Sequence, residues 1–243
     1  MGMTRLVLLP GLMCDATVWA HAQGALASRA AIHIAEYAAL DSLGAMADKI
    51  LGDVEGPFAL AGHSMGGRVA MEMFRRAPQR IVALALLDTG VQPLAAGDAG
   101  AREAAGRHEL LRLARERGMA AMAERWVQGM VWPSRLGERL LIDGIVDMFA
   151  RSTPEVFAAQ IRALLARPDA GGLLEQIRCP ALVLCGAEDS WAPAARHREM
   201  AAKIGGAQLT LVPECGHMCT LERPEAVTCA LVEWFARVER PPR

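Results

Sequence analysis

The sequence lacks a surplus of charge of either sign. Lysine and arginine together number 26 and aspartate and glutamate 27, which leaves a net charge of -1 at neutral pH. Proteins that bind nucleic acid neutralise its phosphates with a concentrated set of basic side chains. No such set is present, so nucleic acid is not expected among the partners.

Long apolar runs are also missing. A membrane-spanning helix needs about 20 apolar residues, and no stretch of the chain approaches that length. The N-terminal run Leu6–Leu9 is short and ends at Pro10, whereas a signal peptide has a longer apolar segment and a small-residue cleavage site. We therefore expect a cytoplasmic protein with no membrane partner.

Cysteine pairs with the spacing of a zinc site are missing as well. The six cysteines include the stretch "CGHMC", in which His217 lies between Cys215 and Cys219. No C-x-x-C pair or second histidine–cysteine cluster completes a set of four ligands. A zinc site at this stretch is an alternative interpretation, but the main expectation is reduced, mostly buried thiols and no metal.

What the sequence does contain is an alternation of short apolar runs with segments that carry apolar residues at helical spacing. Runs such as "PFALAG" and "IVALALLD" are typical of parallel strands buried on both faces. An alternation of such strands with helices predicts a doubly wound, mainly parallel sheet with helices on both sides. The fold class is therefore α/β.

The alternation is interrupted between residues 91 and 168, where the pattern is helical throughout. One of these helices is predicted to begin with Thr153 as its N-cap and Pro154 at its first position. We predict an α/β core formed by residues 1–90 and 169–243. Residues 91–168 are predicted to form a mainly helical cap inserted after the strand that ends at Asp88; this segment is called the cap below.

The motif Gly62-His63-Ser64-Met65-Gly66 lies between a predicted strand and a predicted helix. In this context G-x-S-x-G is typical of a nucleophile elbow, a sharp turn that holds a serine in a strained conformation. Small residues are needed two positions before and after the serine, because larger side chains would collide there. The alternative is a glycine-rich turn with an incidental serine. His63 is expected to face away from Ser64 and to pack nearby or to form part of the pocket wall.

A serine hydroxyl needs a base, and the base needs a carboxylate that orients it. His217 and Asp189 each follow a predicted strand of the same sheet, in the order serine, aspartate, histidine that this elbow predicts. Asp88, at the end of another strand, is the alternative carboxylate. Glu188 is expected to point elsewhere. The histidines without a surrounding motif are expected at the surface; they are His21, His33, His108 and His197.

Acyl transfer also needs two N–H donors for the oxyanion. The backbone N–H of Met65 directly follows the nucleophile, and that of Leu12 lies in the loop "LPGLMCD" after the first strand. The alternative for this loop is a Pro-Gly turn that only ends the strand. Its position beside the elbow favours the oxyanion role.

Together the elbow "GHSMGG", the stretch "LVLCGAED" and the stretch "ECGHMCTLERPEAV" resemble the α/β-hydrolase family over nearly the whole chain. The resemblance implies a parallel sheet of about six strands with a helical cap, since too few residues precede the first strand for an added hairpin. It implies Ser64 as nucleophile, Asp189 as acid and His217 as base, and no cofactor.

The sequence departs from the family at several positions. Pro10-Gly11 stands where many members have His-Gly. Met218 and Leu12 occupy positions where the related hydroxynitrile lyases have lysine and threonine, which favours hydrolysis over cyanohydrin cleavage. The single glycine of the first loop disfavours esters of bulky tertiary alcohols.

We expect the substrate to be a neutral, largely apolar carboxylic ester of small to medium size, because no arginine or lysine lies within a catalytic motif. The protein is expected to be a monomer or homodimer. Lactone hydrolysis, C–C bond hydrolysis, acyl transfer and a slow-turnover ligand receptor are the alternatives. Packing within the cap is the alternative role for the tryptophans of the cap. The candidate substrate-binding residues lie near the predicted active edge or in the cap: Met13, Trp19, His63, Trp126, Trp132, Trp191 and Met218.

Overall fold

A six-stranded, entirely parallel sheet organises the molecule. The computed structural model describes residues 3–239. The Pro/Arg-rich residues 240–243, for which the sequence predicts fraying, lie outside that range. The strand order is β2-β1-β3-β4-β5-β6, and the strands are β1 Thr4–Leu9, β2 Ala30–Ile34, β3 Phe58–His63, β4 Ile81–Leu87, β5 Ala181–Gly186 and β6 Gln208–Val212. The predicted sheet of about six mainly parallel strands is thereby confirmed.

Helices connect the strands and cover both faces of the sheet. The α-helices are α1 Ala20–Leu26, α2 Leu43–Asp53, α3 Met65–Arg76, α4 Asp98–Val127, α5 Arg139–Ala150, α6 Pro154–Leu165, α7 Ala194–Lys203, α8 Cys219–Glu222 and α9 Pro224–Glu239. Among residues 3–239, none of them is both long enough and apolar enough to cross a membrane.

Burial explains why the central strands read as unbroken apolar runs. All residues of β3 and β5 are buried, as is most of β4. The edge strands β2 and β6 are only partly buried. A parallel sheet with helices on both faces gives its inner strands no solvent side, and hence no polar alternation.

The cap is helical, as expected. Residues 91–168, all within the described part of the chain, contain α4, α5 and α6 and no strand. The long helical pattern of α4 is kinked at Gly118, which has a φ of 88°; glycine adopts this left-handed conformation without steric penalty. Thr153 accepts a hydrogen bond from the backbone N–H of Val156, which confirms the predicted N-cap. The division into core and cap units stays a prediction.

Candidate active site

Ser64 occupies a strained turn between β3 and α3. Its φ and ψ are 54° and -115°, a region that costs a non-glycine residue on the order of 1–3 kcal/mol. Its backbone N–H donates to the carbonyl of Leu87 at the end of β4 (2.8 Å). A Cβ placed on Gly62 would lie 2.4 Å from the carbonyl oxygen of Gly66, and one on Gly66 would lie 2.2 Å from that of Leu9. The two glycines are thus required by close backbone approach.

His217 connects Ser64 to Asp189 through two hydrogen bonds. The Ser64 Oγ atom lies 2.8 Å from His217 Nε2, and His217 Nδ1 lies 2.8 Å from Asp189 Oδ2. All three residues follow carboxyl ends of parallel strands, which meet at one edge of the sheet. The structure therefore brings together the three residues that the sequence predicts as a triad, although Ser64 is 153 residues from His217 in the chain.

Asp189 is held as a charged acceptor. Its second oxygen, Oδ1, accepts from the backbone N–H groups of Trp191 (2.8 Å) and Ala192 (3.0 Å). Burial raises the pKa of this carboxyl, but the charge and hydrogen bond of His217 and the two backbone donors outweigh burial, so the pKa lies below its ordinary value. A charged Asp189 fixes the Nδ1–H tautomer of His217 and leaves Nε2 free to act on Ser64.

Asp88 is placed against His63 rather than His217. The Asp88 Oδ1 atom accepts from the backbone N–H of Gly186 (2.9 Å), and Oδ2 lies 3.5 Å from His63 Nε2. His63 and Asp88 are both completely buried. Glu188 accepts from the backbone N–H of Cys215 and so points elsewhere, as expected.

The pKa of His63 is raised to about 10. Burial by itself lowers this pKa, but the interactions of the ring with Asp88 and with Cys14 raise it further than burial lowers it. The His63 Nε2 atom also lies 2.8 Å from the backbone carbonyl oxygen of His217, to which it must donate. A buried, charged pair thus lies directly behind the Ser64 turn.

The first loop, residues 10–15, lies against the nucleophile. A Cβ placed on Gly11 would lie 3.3 Å from Ser64 Cβ. Met65 is the first residue of α3, so its N–H has no partner within the helix. The N–H of Met13 in this loop is already engaged by Gln160 Oε1 from the cap (2.9 Å). Tyr37 fixes the start of the loop by donating to the carbonyl of Pro10.

Glu222 is a buried carboxylate that the sequence analysis did not single out. It accepts from the backbone N–H groups of Gly216 (3.0 Å) and Met218 (3.1 Å), which flank His217, and from that of Trp132 in the cap (2.9 Å). Met218 is the N-cap of the short helix α8. Glu222 is the last residue of α8, and its carboxylate reaches back one turn to the N–H of this N-cap.

Aromatic side chains from the cap and core meet beside His217. The Trp191 ring lies 5.0 Å from the His217 ring, and the Trp126 ring stacks on Trp191 at 5.8 Å. Phe149 and Phe157 lie 5.3 Å and 5.4 Å from Trp126. Trp191 is 37% exposed, so one side of this aromatic group is open.

A cavity of about 690 Å³ borders the first loop. Its lining combines the first loop, the end of β2 and the cap, and includes Met13, Cys14, Tyr37, Met148 and Gln160. Asp15 and Arg151 form an ion pair at this cavity (2.6 Å). A separate depression of about 480 Å³ lies at the amino-terminal edge of the sheet, remote from Ser64.

The remaining candidate substrate-binding residues differ in exposure. Met13 lines the cavity. Trp19 is completely buried and lines neither cavity described above, and Met218 is buried in the loop beside His217. Trp132 is half-buried, with its backbone held by Glu222.

One expectation about histidine is wrong. His197 is completely buried rather than at the surface. Its Nε2 atom accepts from the backbone N–H of Thr89 (3.1 Å), directly after Asp88. Helix α7 packs on β5 and brings His197 under the turn that follows β4, a contact between distant segments that leaves no local sequence signal.

The stretch "CGHMC" has the geometry of packed thiols. Both ring nitrogens of His217 are engaged by Ser64 and Asp189. Burial raises the pKa of the Cys215 and Cys219 thiols well above the ordinary value. Within residues 3–239, no three histidine, cysteine or carboxylate side chains are grouped so that they could hold a metal ion.

Comparison with known proteins agrees with this arrangement. A family model described as "Alpha/beta hydrolase family" matches residues 6–230. A pimeloyl-[acyl-carrier protein] methyl ester esterase from Nitrosomonas europaea is 27% identical over 237 residues, which cover 92% of this chain and 93% of that protein. A putative carbamate hydrolase, RutD, from Caulobacter is 27% identical over 180 residues; the alignment covers 73% of this chain but only 65% of that relative, just under two thirds of its length.

Among solved structures, a thermophilic esterase from Thermogutta terrifontis superimposes with a TM-score of 0.86 and 27% identity, covering 98% of this chain and 92% of that one. The family match spans nearly the whole sheet and cap, including the turn that carries Ser64 and the loops that carry Asp189 and His217. The resemblance noted in the sequence is therefore confirmed, and the chain belongs to the alpha/beta hydrolase family.

Proposed function

We propose that the protein is a serine hydrolase that cleaves a small to medium, largely apolar carboxylic ester. The observation that carries the proposal is the chain of two 2.8 Å hydrogen bonds from Ser64 through His217 to Asp189, built on a strained serine turn. A strained residue of this kind is maintained at a free-energy cost, which favours a use for it in function.

The proposed mechanism has two steps. His217 Nε2 takes the proton of Ser64 as the hydroxyl oxygen attacks the ester carbonyl, and then donates that proton to the departing alcohol. Water, deprotonated by the same nitrogen, hydrolyses the acyl-enzyme and releases Ser64. Asp189 stays ionised throughout, because its two additional backbone donors favour the carboxylate, and it stabilises the imidazolium that forms in each step.

The N–H groups of Leu12 and Met65 are proposed to hold the oxyanion. Met65 contributes an unpaired N–H at the start of α3, where the helix dipole also favours negative charge. Gln160 supports the Leu12 donor indirectly, because it binds the next N–H of the first loop and so limits the motion of that loop.

The surroundings of Ser64 support an apolar substrate. The aromatic group around Trp191 offers an apolar surface beside His217. The Arg151 guanidinium at the neighbouring cavity is paired with Asp15, so it provides no free positive charge for an anionic substrate. The Nitrosomonas relative is described as a methyl ester esterase and the Thermogutta protein as an esterase, which supports ester hydrolysis over the other reactions of the family. The monomer-or-homodimer state and the cytoplasmic location stay predictions.

The test is steady-state hydrolysis of p-nitrophenyl esters from acetate to decanoate by the wild type, Ser64→Ala and Ser28→Ala. Ser28 is an exposed residue outside the site and provides the matched control. Ser64→Ala is expected to lose activity on the order of 10⁴-fold or more, because the triad acts as a unit, while Ser28→Ala keeps it. Near-normal turnover by Ser64→Ala would refute the proposal.

A wild type that hydrolyses no ester, but is labelled at Ser64 by a fluorophosphonate, would also overturn the ester assignment. Lactones, diketones and ligand binding would then be assayed in its place. The optimum chain length in the ester series measures the room available to the acyl group.

A further inference from the structure

A second group of chemically reactive side chains, Cys14, His63 and Asp88, lies near the Ser64 turn. Cys14 lies in the first loop and is only partly buried, and it lines the 690 Å³ cavity. His63 and Asp88 lie behind it and are completely buried. The proposed ester hydrolysis uses none of these three side chains as an acid, base or nucleophile.

The orientation of His63 directs a buried N–H toward this cysteine. Its Nε2 atom lies 2.8 Å from the carbonyl oxygen of His217, so Nε2 must carry a proton. In the charged ring of the pair with Asp88, Nδ1 carries a proton as well. This Nδ1 atom is buried and has no hydrogen-bond partner of good geometry within the described residues, and an unpaired buried polar atom is uncommon in a folded protein.

The Nδ1 atom of His63 and the Sγ atom of Cys14 both lie close to Gly11. A Cβ placed on Gly11 would lie 3.0 Å from His63 Nδ1 and 3.3 Å from Cys14 Sγ. Only a glycine at position 11 leaves the space between them open. The only hydrogen bond that the thiol itself makes among the described residues is a long one, donated to the carbonyl of Leu12 at 3.6 Å.

We propose that Cys14 is a reactive thiol, activated by His63 and Asp88, and that it is a site of covalent modification by small disulfides that enter the cavity. The thiol gives its proton to solvent, and the His63 imidazolium, paired with the Asp88 carboxylate, stabilises the thiolate. The thiolate attacks one sulfur of the incoming disulfide. A new S–S bond forms, the original S–S bond breaks, and the departing thiolate takes up a proton from solvent.

The other cysteines differ from Cys14 in ways that predict lower reactivity. Cys229 is exposed, and its thiol contacts a carboxylate oxygen of Glu233 at 3.7 Å. Cys179 is half-buried, and burial raises the pKa of its thiol. The remaining cysteines are buried. Cys229 is therefore an internal reference of greater exposure, whose thiol contacts a carboxylate instead of a histidine.

Modification of Cys14 is expected to inhibit the hydrolase. The backbone N–H of Cys14 donates to the carbonyl of Gly11 (3.1 Å) and closes the turn that presents the Leu12 donor. A substituent on the sulfur has to occupy the cavity beside Met13 and Gln160, whose hydrogen bond orders the same loop. This consequence rests on the proposed function, whereas the reactivity of Cys14 does not.

The first test measures reactivity alone. Wild-type protein is incubated with a limiting amount of iodoacetamide at pH 7, and the labelled peptides are quantified by mass spectrometry. Cys14 is expected to be alkylated about tenfold or more faster than Cys229, because the rate follows the thiolate fraction. In folded His63→Gln protein that advantage is expected to disappear. Labelling of Cys14 no faster than Cys229 in the wild type, or an unchanged advantage in His63→Gln, would overturn the proposal.

The second test measures inhibition. Oxidised glutathione is expected to abolish most ester hydrolysis by the wild type and by Cys229→Ala, and dithiothreitol is expected to restore it. Cys14→Ala, compared with its own untreated activity, is expected to resist. Inhibition of Cys14→Ala equal to that of the wild type would contradict a role for this thiol. If the protein hydrolyses no ester at all, the proposed function fails, while the labelling rates still decide whether Cys14 is reactive.

Discussion

Replacement of Glu222 by glutamine tests whether this carboxylate positions the catalytic histidine. The carboxylate receives three backbone N–H groups. Oε1 accepts from Gly216 and Met218, and Oε2 accepts from Trp132 and also from Gly216. A glutamine keeps one acceptor oxygen and places an NH₂ group in the second position. If the NH₂ group replaces Oε1, the N–H of Met218 faces a donor. If it replaces Oε2, the N–H of Trp132 does.

The size of the effect follows from these contacts. One buried N–H left unpaired costs about 1–3 kcal/mol, and the two remaining hydrogen bonds lose the strength that a charged acceptor adds, on the order of 1 kcal/mol each. Burial raises the pKa of Glu222 above its ordinary value, so removal of the charge also removes a desolvation cost that offsets part of this loss. We expect a net decrease of about 2 kcal/mol in the free energy of unfolding.

The effect on catalysis is expected to exceed the effect on substrate binding. Gly216 and Met218 flank His217, and the N–H of His217 donates to the carbonyl of Met130 in the cap (2.6 Å). Displacement of a catalytic group by about 1 Å costs on the order of 10²-fold in rate. We therefore expect kcat to fall by roughly that factor, with little change in KM.

The assay compares Glu222→Gln with Glu225→Gln, an exposed carboxylate in the first turn of α9. Denaturant unfolding and steady-state kinetics are measured for both. Glu225→Gln is expected to stay within about 0.5 kcal/mol of the wild type, with normal kinetics. If Glu222→Gln behaves like this control in both measurements, the Glu222 carboxylate has no positioning role. If it loses stability but keeps its kcat, the role is structural only.

Three further predictions follow from the same geometry. Asp189→Asn is expected to lower kcat by on the order of 10⁴-fold, since the amide no longer selects the productive histidine tautomer. A loss of rate of less than about tenfold in a pre-steady-state ester assay would contradict this. Gly62→Ala is expected to prevent folding to the active form, because its Cβ meets backbone. Gly24→Ala, in α1 with open space around it, is expected to add about 0.5–1 kcal/mol of stability, and thermal unfolding distinguishes the two. Finally, the pKa of His63 is about 10 in the folded protein against an ordinary 6.5. Its contribution to stability is therefore complete below pH 6.5 and is lost as pH rises through about 10. The free energy of unfolding should fall by about 1.4 kcal/mol per pH unit between pH 7 and pH 8, and Asp88→Asn should flatten this slope in denaturant titrations; an unchanged slope in that variant would refute the ion pair.

The features that the sequence predicted and the structure contains are those that depend on local pattern. Apolar runs without polar alternation predicted the buried parallel strands, because a strand covered on both faces has no solvent side. The glycines around Ser64 predicted the turn, because backbone approaches backbone there. The sequence could place Asp189 and His217 near Ser64 because carboxyl ends of parallel strands share one edge, so a residue after a strand lies at that edge whatever its distance along the chain.

The tertiary structure alone decided contacts between segments that are distant in the chain and carry no periodic signal. It placed Asp88 against His63 instead of His217, and it buried His197 under the turn after β4. It also joined the cap to the histidine loop through Glu222 and brought Cys14 to the back of the Ser64 turn. Such contacts depend on the angles at which helices and loops pack on the sheet. Those angles are set by the side chains of the whole core together, whereas the pattern within any one segment determines only which face of that segment is buried.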